Sequence, residues 1–234
     1  MRKRSSVLRQ ALAGARYLVA LEEEDTSGKV GKEIEHMFYG RVDSMDTLLK
    51  AECMEVQEQW GLWQDKTSLN AACGSVRIRK NIRFLIVNGV LQKDQPTTQY
   101  VMTTKVKTLD GHALEISIAT TEDNFKAFKM LAESGMIKHR YTFPIEGSDL
   151  KWEVDAFVMP GENVMSNRYQ NYVKVDLEVK SEADPIPAMP FGILDAFNAK
   201  VGEEATPEQK QVMEKMKECL NQPNVYVHQV YSGI

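Results

Sequence analysis

The sequence predicts an α+β fold in which charged strands curl into a barrel and helices cover the apolar outer face. Seven segments alternate apolar and polar residues with a period of two, which is typical of β-strands. Four other segments carry apolar residues at helical spacing. Along the strands, like charges recur two residues apart, so both members of each pair lie on one face. Together these patterns favour a sheet with one apolar and one charged face.

Composition limits the class of protein. The chain has 234 residues, of which 43% are hydrophobic, so it fits one large domain with extensions. The formal charge of −4 combines nearly balanced signs and provides no excess that attracts nucleic acid or a membrane surface. Three cysteines without metal-ligand spacing fit a reducing compartment. Because no stretch approaches the roughly 20 apolar residues of a bilayer span, we expect a cytoplasmic protein.

The strands are predicted from alternation and from the turn residues between them. The strongest turn signals are Asn88-Gly89 and Asp110-Gly111. The predicted strands are 33–38, 74–80 with 81–87 as its continuation, 99–107, 112–118, 136–143, 150–158 and 172–180. Residues 225–231 fit a further strand or a tail.

The helices are predicted from apolar spacing and capping residues. An amphipathic helix at 5–23 precedes a linker at 25–31, and a second helix at 43–60 has Ser44 as its cap. A third helix spans 121–134 with Gly135 as its stop, and Pro207 opens a fourth that ends near Leu220. This divides the chain into an N-terminal helical extension and linker (1–31), a strand-rich domain (32–180) and a C-terminal helical segment of the same domain (181–234).

The paired charges decide between two environments for the strand faces. Like charges two residues apart stand roughly 6 to 7 Å from each other along a strand, an arrangement that folding alone does not favour. A dry interior is excluded, because each buried charge costs several kcal/mol and total stability is only about 5–15 kcal/mol. The helices available to cover the apolar faces favour a wet lumen over an outer surface. The pairs are Glu33/Glu35, Arg77/Arg79, Lys105/Lys107, Lys138/Arg140, Glu153/Asp155 and Asp176/Glu178.

The signs of these pairs indicate a ligand. Arginine forms bidentate contacts with phosphate and lysine supplies point charges, so the basic set suits a polyanion. The acidic set would repel that polyanion unless divalent cations lie between carboxylate and phosphate, and all-oxygen ligands favour Mg²⁺ or Mn²⁺. The predicted substrate-binding residues are Arg77, Arg79, Lys105, Lys107, Lys138 and Arg140. The predicted metal-binding residues are Glu33, Glu35, Glu153, Asp155, Asp176 and Glu178.

The ordered set over residues 32–180 resembles the CYTH domain, also called the triphosphate tunnel metalloenzyme superfamily. That family opens with Glu-x-Glu-x-Lys, which here begins with Glu33 and Glu35. The remaining matches follow in order: Arg77 with Arg79, Lys105 with Lys107, Glu115, Lys138 with Arg140, Glu153 with Asp155, and Asp176 with Glu178.

The resemblance implies an eight-stranded antiparallel tunnel that binds a triphosphate and hydrolyses or cyclises it with Mg²⁺ or Mn²⁺. It implies that Glu33, Glu35 and Glu178 hold the metal that bridges the phosphates. Asp155 and Asp176 would serve a second metal or its bound water. On this likeness the catalytic residues are Glu35, Asp155 and Asp176.

One departure leaves the function open, because Met37 stands where the family has a lysine. The first hypothesis is a metal-dependent triphosphatase for inorganic tripolyphosphate or a nucleoside or organic triphosphate. The alternatives are a class IV-type adenylate cyclase and a non-catalytic polyphosphate- or nucleotide-binding protein. The expected partner is a small-molecule triphosphate, RNA would enter only as a 5′-triphosphate end, and a homodimer is compatible with the sequence.

Overall fold

The computed structural model describes residues 31–32, 34–64, 74–107, 113–132, 134–158, 171–179, 181, 184–190, 192–199 and 204–220. The predicted helix at 5–23, the turn at 110–111 and the segment 225–231 lie outside the described residues, as does Glu33.

Eleven strands and three helices make up the described chain. The strands are β1 (Gly31–Lys32), β2 (Ile34–Val42), β3 (Cys53–Gln64), β4 (Gly74–Val87), β5 (Val90–Leu91), β6 (Thr97–Lys107), β7 (Ala113–Ala119), β8 (Ser134–Pro144), β9 (Lys151–Phe157), β10 (Tyr172–Val179) and β11 (Ile193–Asn198). The helices are a 3-10 helix (Met45–Lys50), α1 (Glu122–Lys129) and α2 (Pro207–Leu220).

The strands form one antiparallel sheet in the order β1-β7-β6-β4-β3-β8-β9-β10-β2-β11, with β5 paired to β4. The α+β class with an antiparallel sheet is therefore confirmed, but the closed eight-stranded barrel is wrong. Ten strands form an open path, because β11 adds to the free side of β2 and the two-residue β1 adds to β7. Only Glu33 separates β1 from β2, although these strands pair with β7 and β10 respectively.

The predicted helix at 43–60 is wrong beyond its first turns. Ser44 does cap a helix, and its hydroxyl accepts from the Asp46 N–H, but this is a 3-10 helix that ends at Lys50. The following residues form β3, which pairs with β4 on one side and β8 on the other. Hydrogen-bond ladders to two neighbouring strands thus outweigh the helical spacing of this segment. Met54, Val56 and Trp60 also fit the alternation of a strand.

The third predicted helix is real but shorter than expected. It is capped by Thr121, whose hydroxyl accepts from the Asn124 N–H, and it ends at Lys129. Gly135 is not its stop, since this glycine lies within β8. A Cβ atom at Gly135 would lie 2.7 Å from the Trp60 ring, so the glycine permits the close packing of β8 on β3.

Two other local predictions are confirmed. Asn88 and Gly89 have φ angles of 51° and 75°, which suit a two-residue hairpin turn between β4 and β5. The C-terminal helix spans Pro207–Leu220, as its opening proline indicated. Among the described helices, none has the length and apolarity needed to cross a membrane.

Apolar side chains form two clusters on different sides of the sheet. The larger one lies on the convex face and includes Trp60, Trp152, Val175 and Phe125 of α1, all buried. The smaller cluster joins Tyr39, Phe157, Phe197, Val212 and Met216, so it brings α2 and β11 against the sheet. The opposite, concave face of the sheet carries the charged side chains.

Candidate functional site

A cavity of about 250 Å³ occupies the concave face. Eight strands contribute to its wall, from β7 at one side of the sheet path to β2 at the other. For side chains so far apart in strand order to share one cavity, the sheet must be strongly curled. The lining residues are Glu35, Gln59, Arg77, Arg79, Lys105, Glu115, Met136, Lys138, Arg140, Lys151, Glu153, Asp155, Phe157, Lys174, Asp176 and Glu178.

Most residues predicted for the site meet in this cavity. Ten of the twelve line it, while Glu33 and the side chain of Lys107 lie outside the described part of the chain. Alternation along each strand explains the convergence. In β9, for example, Glu153 and Asp155 face the cavity, whereas Trp152 and Val154 are buried in the convex core.

The acidic side of the cavity is built from cross-strand pairs. Glu35 of β2 lies directly opposite Glu178 of β10, and Asp176 lies opposite Glu153 of β9. Side chains at such positions have Cβ atoms about 4.5–5.5 Å apart, and like charges there destabilise the sheet unless cations separate them. The register therefore concentrates negative charge along the β9, β10 and β2 part of the wall.

Asp155 is the centre of a buried ion-pair network. It is 0% exposed, and Arg140 donates to both of its oxygens, at 2.7 Å from Nε and 2.9 Å from Nη2. Lys138 donates to Oδ2 as well. Burial opposes ionisation, but Arg140 and Lys138 outweigh it and hold the pKa of Asp155 well below its ordinary value. This carboxylate is thus ionised and fixes two cations at the cavity wall.

Burial and the neighbouring Arg140 and Lys174 lower the pKa of Lys138 to about 7, despite the contact with Asp155. In contrast, Arg140 keeps a pKa above its ordinary value, because attraction to Asp155, Glu153 and Asp176 exceeds its burial penalty. Arg140 also contacts Glu153 and lies 3.7 Å from Asp176 Oδ2. It therefore remains a fixed positive charge that joins β8, β9 and β10.

Asp176 is nearly buried, with a side chain 3% exposed. Its Oδ2 accepts from Lys174, but its buried Oδ1 has no partner within the described residues. Burial, together with repulsion from Asp155 and Glu35, raises its pKa to about 6. Asp176 thus retains an unused acceptor, although Lys174 and Arg140 both lie beside its other oxygen.

The opposite wall, formed by β4, β6 and β7, is basic. Arg77 lies 3.3 Å from Glu115, Lys105 lies 2.8 Å from the same carboxylate, and Arg79 donates to the Thr103 hydroxyl at 3.4 Å. The buried Nε atoms of Arg77 and Arg79 have no acceptor in the described structure. Burial and the proximity of Arg77 and Arg140 lower the pKa of Arg79 to about 10. Two cations of this wall, Arg77 and Lys105, thus contact Glu115.

Several lining residues were not assigned to the site from sequence. Lys174 and Lys151 continue the alternation that places Asp176 and Glu153, so their position on the face was readable, although their partners were not. Gln59 was missed because it belonged to the segment predicted as helical. Met136 and Phe157 form an apolar part of the lining; Phe157 belongs to the smaller apolar cluster that includes Val212 and Met216 of α2, and Met136 packs against it.

The carboxylate oxygens of the cavity suit a divalent cation, but the described residues do not form a complete metal site. Among the described residues, no three acidic, histidine or cysteine side chains are arranged as a ready metal site. Glu33, which the sequence assigns to this set, falls outside the described part. The unpartnered Oδ1 of Asp176 and the opposed Glu35 and Glu178 are hard oxygen ligands of the kind that Mg²⁺ and Mn²⁺ prefer.

Compared with models of protein families and with curated proteins, the chain matches none. The cavity alone therefore carries the functional argument. Seven cationic and six acidic side chains line it: β4, β6 and β7 carry three cations and one carboxylate, whereas β2, β8, β9 and β10 carry five carboxylates and four cations that pair with them. Such a wall suits a ligand that presents both signs, such as a phosphate chain with a divalent cation.

Proposed function

We propose that the chain is a metal-dependent triphosphatase that hydrolyses inorganic tripolyphosphate or a nucleoside or organic triphosphate inside the cavity. The observation that carries this proposal is the pair Arg77 and Arg79, which line the cavity and whose buried Nε donors lack an acceptor in the described structure. Buried donors without acceptors cost about 1–3 kcal/mol each, and phosphate oxygens would satisfy them. The ordered motif set of the triphosphate tunnel superfamily points to the same chemistry.

The cavity acts as a tunnel in this proposal. Because Glu33 alone separates β1 from β2, and these pair with β7 and β10, one continuous segment reaches both sides of the curled sheet. The segment would thus flank the ligand on both sides, although the hydrogen-bonded path stays open. The smaller apolar cluster at Met136 and Phe157 would then block one end of the cavity, and the substrate would enter from the charged end.

The basic wall holds the phosphate chain. Arg77, Arg79 and Lys105 supply donors to phosphate oxygens and stabilise negative charge that develops on them during displacement by water. Since all three lie on strands rather than loops, their positions are set before the substrate arrives. Preorganised donors of this kind need no rearrangement during the reaction.

The acidic wall holds the cation. Glu35, Asp176 and Glu178 would bind it together with Glu33, and the cation when bound supplies neutralisation of phosphate charge. Asp155 has another role, because Arg140 and Lys138 occupy its oxygens. It positions these two cations toward the substrate instead of binding metal directly.

A second candidate is a binding protein without turnover. Met37 is the cross-strand partner of Asp176, so an apolar side chain occupies a position where the resembled family has lysine. If this lysine is required for hydrolysis, the cavity would still bind a metal–triphosphate complex and release it unchanged.

Phosphate release tests the proposal. The protein is incubated with tripolyphosphate or ATP, each with Mg²⁺ and with Mn²⁺, and inorganic phosphate is measured. We expect metal-dependent release that falls about 100-fold in Glu35→Ala, the scale for loss of one charge-stabilising group. Glu146→Ala, in the exposed turn between β8 and β9, is the matched control and should leave the rate unchanged.

No release from either substrate, or equal release by wild type and Glu35→Ala, would contradict the hydrolase. Calorimetry then separates the remaining candidates, because metal-dependent binding without release assigns the binding protein. Formation of cyclic AMP from ATP would assign the cyclase instead.

A further inference from the structure

Lys174 lies where a metal ion would be expected. Its ammonium group contacts Asp176 Oδ2 and lies 3.9 Å from Glu35 Oε1, so it bridges carboxylates of β10 and β2. The lysine side chain is only 14% exposed and lines the cavity. A single ammonium thus separates two carboxylates that would otherwise repel each other.

Three carboxylates lie in this part of the wall; Lys174 contacts two of them, and Arg140 lies 3.7 Å from Asp176 Oδ2. Glu178 lies directly across from Glu35 on the neighbouring strand. The side chain of Asp176 is more than nine-tenths buried, and its Oδ1 has no hydrogen-bond partner among the described residues. One monovalent cation is therefore placed in a cluster that has the oxygen ligands for a divalent one.

We propose that Lys174 is an internal counter-cation that competes with divalent metal for Glu35 and Asp176, so that the protein binds the metal–phosphate complex in preference to free metal. This deepens the proposed function and rests on its placement of the metal at Glu35 and Asp176. It also assigns Lys174 as a positioning residue for the substrate phosphates.

The exchange keeps every charge paired. When the metal takes the Glu35 and Asp176 carboxylates, the ammonium of Lys174 loses both partners inside a poorly solvated cavity. A phosphate oxygen that arrives with the metal replaces them, because ammonium and phosphate form a strong charge-assisted hydrogen bond. Metal alone cannot provide this replacement, so metal and phosphate bind cooperatively.

The other cavity lysines lack this arrangement. Lys151 lies 2.8 Å from Glu153 and is about half exposed, so water can solvate it if the contact breaks. Lys138 contacts Asp155, which Arg140 also holds. Only Lys174, among the described lysines, bridges Glu35 and Asp176.

Manganese binding without phosphate tests the proposal. The full chain is stripped of metal, Mn²⁺ is added in a phosphate-free buffer, and free Mn²⁺ is followed by electron paramagnetic resonance. We expect weak binding by wild type and binding about tenfold tighter in Lys174→Met, because one repelling charge is removed. Lys174→Arg retains the charge and should bind as weakly as wild type. Lys151→Met is the matched control and should also resemble wild type.

Unchanged or weaker Mn²⁺ binding by Lys174→Met would overturn the proposal, provided that its circular dichroism spectrum matches that of wild type. If the variant does not fold, Lys174→Gln replaces it under the same criterion. Tighter binding by Lys151→Met of equal size would also overturn it, since the effect would then be general. Because no substrate is present, a failure of phosphate release leaves this result intact, and the two outcomes are distinguishable.

Discussion

At the scale of single residues, the raised pKa of Asp176 makes the stability of the protein depend on pH. Burial and the nearby carboxylates of Asp155 and Glu35 raise its pKa from 3.8 to about 6. Below about pH 4 it is protonated in both the folded and unfolded states and costs nothing. Between about pH 4 and 6 the unfolded chain ionises while the folded one keeps its proton, so stability decreases as pH rises. Above about pH 6 the penalty is constant.

Asp176→Asn should therefore stabilise the metal-free protein more at neutral than at acidic pH. Raising the pKa from 3.8 to about 6 corresponds to roughly 3 kcal/mol of unfolding free energy. The difference in unfolding free energy between the variant and wild type should therefore increase by about this amount from pH 4 to pH 7. Urea denaturation in the presence of a chelator measures it. A difference that stays constant, or that decreases with pH, would contradict the raised pKa.

Asp43→Asn provides a control of opposite sign. The Thr47 hydroxyl and the Ser44 N–H lower the pKa of Asp43, so its ionised form is favoured in the folded state. That contribution is present at neutral pH and is lost as pH falls through the folded pKa. Its substitution should accordingly destabilise the protein more at pH 7 than well below pH 3.8, the ordinary pKa of an aspartate.

The sequence predicted which residues face the cavity better than what they contact there. A period of two was sufficient to place Arg77 with Arg79 and Glu153 with Asp155 on one wall, because alternation in a strand is fixed by backbone geometry. The register between strands was not readable. For this reason neither the opposition of Glu35 to Glu178 nor the bridge made by Lys174 could be predicted.

At the scale of elements, β3 shows where sequence patterns failed. Met45, Leu48 and Val56 fit a helical stripe, but Cys53–Gln64 forms a strand held by ladders to β4 and β8. Both partners lie outside the segment itself, β4 as the next strand and β8 much further along the chain, and local spacing contains no information about them. The error also removed Gln59 from the predicted site.

The helix α2 was predicted correctly, and its packing gives it a role beyond an extension. Met216 is 0% exposed and shares the smaller apolar cluster with Phe157, which also lines the cavity. Met216→Ala should lower the unfolding free energy by about 2–5 kcal/mol, since a buried side chain is replaced by a void. Thermal and urea denaturation measure this loss.

Gln211→Ala, on the exposed side of the same helix, is the control and should change stability by less than about 0.5 kcal/mol. Equal stability of Met216→Ala and wild type would mean that α2 does not close the end of the cavity in solution.

At the scale of the whole molecule, the curl of the sheet matters more than its number of strands. Residues from eight strands reach one cavity even though the hydrogen-bonded path is open. The near-balanced charges of the whole chain did not indicate that charged residues would gather in one cavity. Charge of both signs is gathered inside, with a surplus of cations on β4, β6 and β7 and a nearly balanced set on β2, β8, β9 and β10.

Diffraction at the manganese edge tests the central claim most directly. Crystals are grown with Mn²⁺ and a non-hydrolysable triphosphate analogue, and the anomalous signal locates the metal without reference to the protein chain. We predict a manganese peak coordinated by Glu35 and Asp176, with analogue oxygens against Arg77 and Arg79. A fully occupied analogue bound outside the cavity, or manganese coordinated elsewhere while this cavity holds neither, would contradict the account.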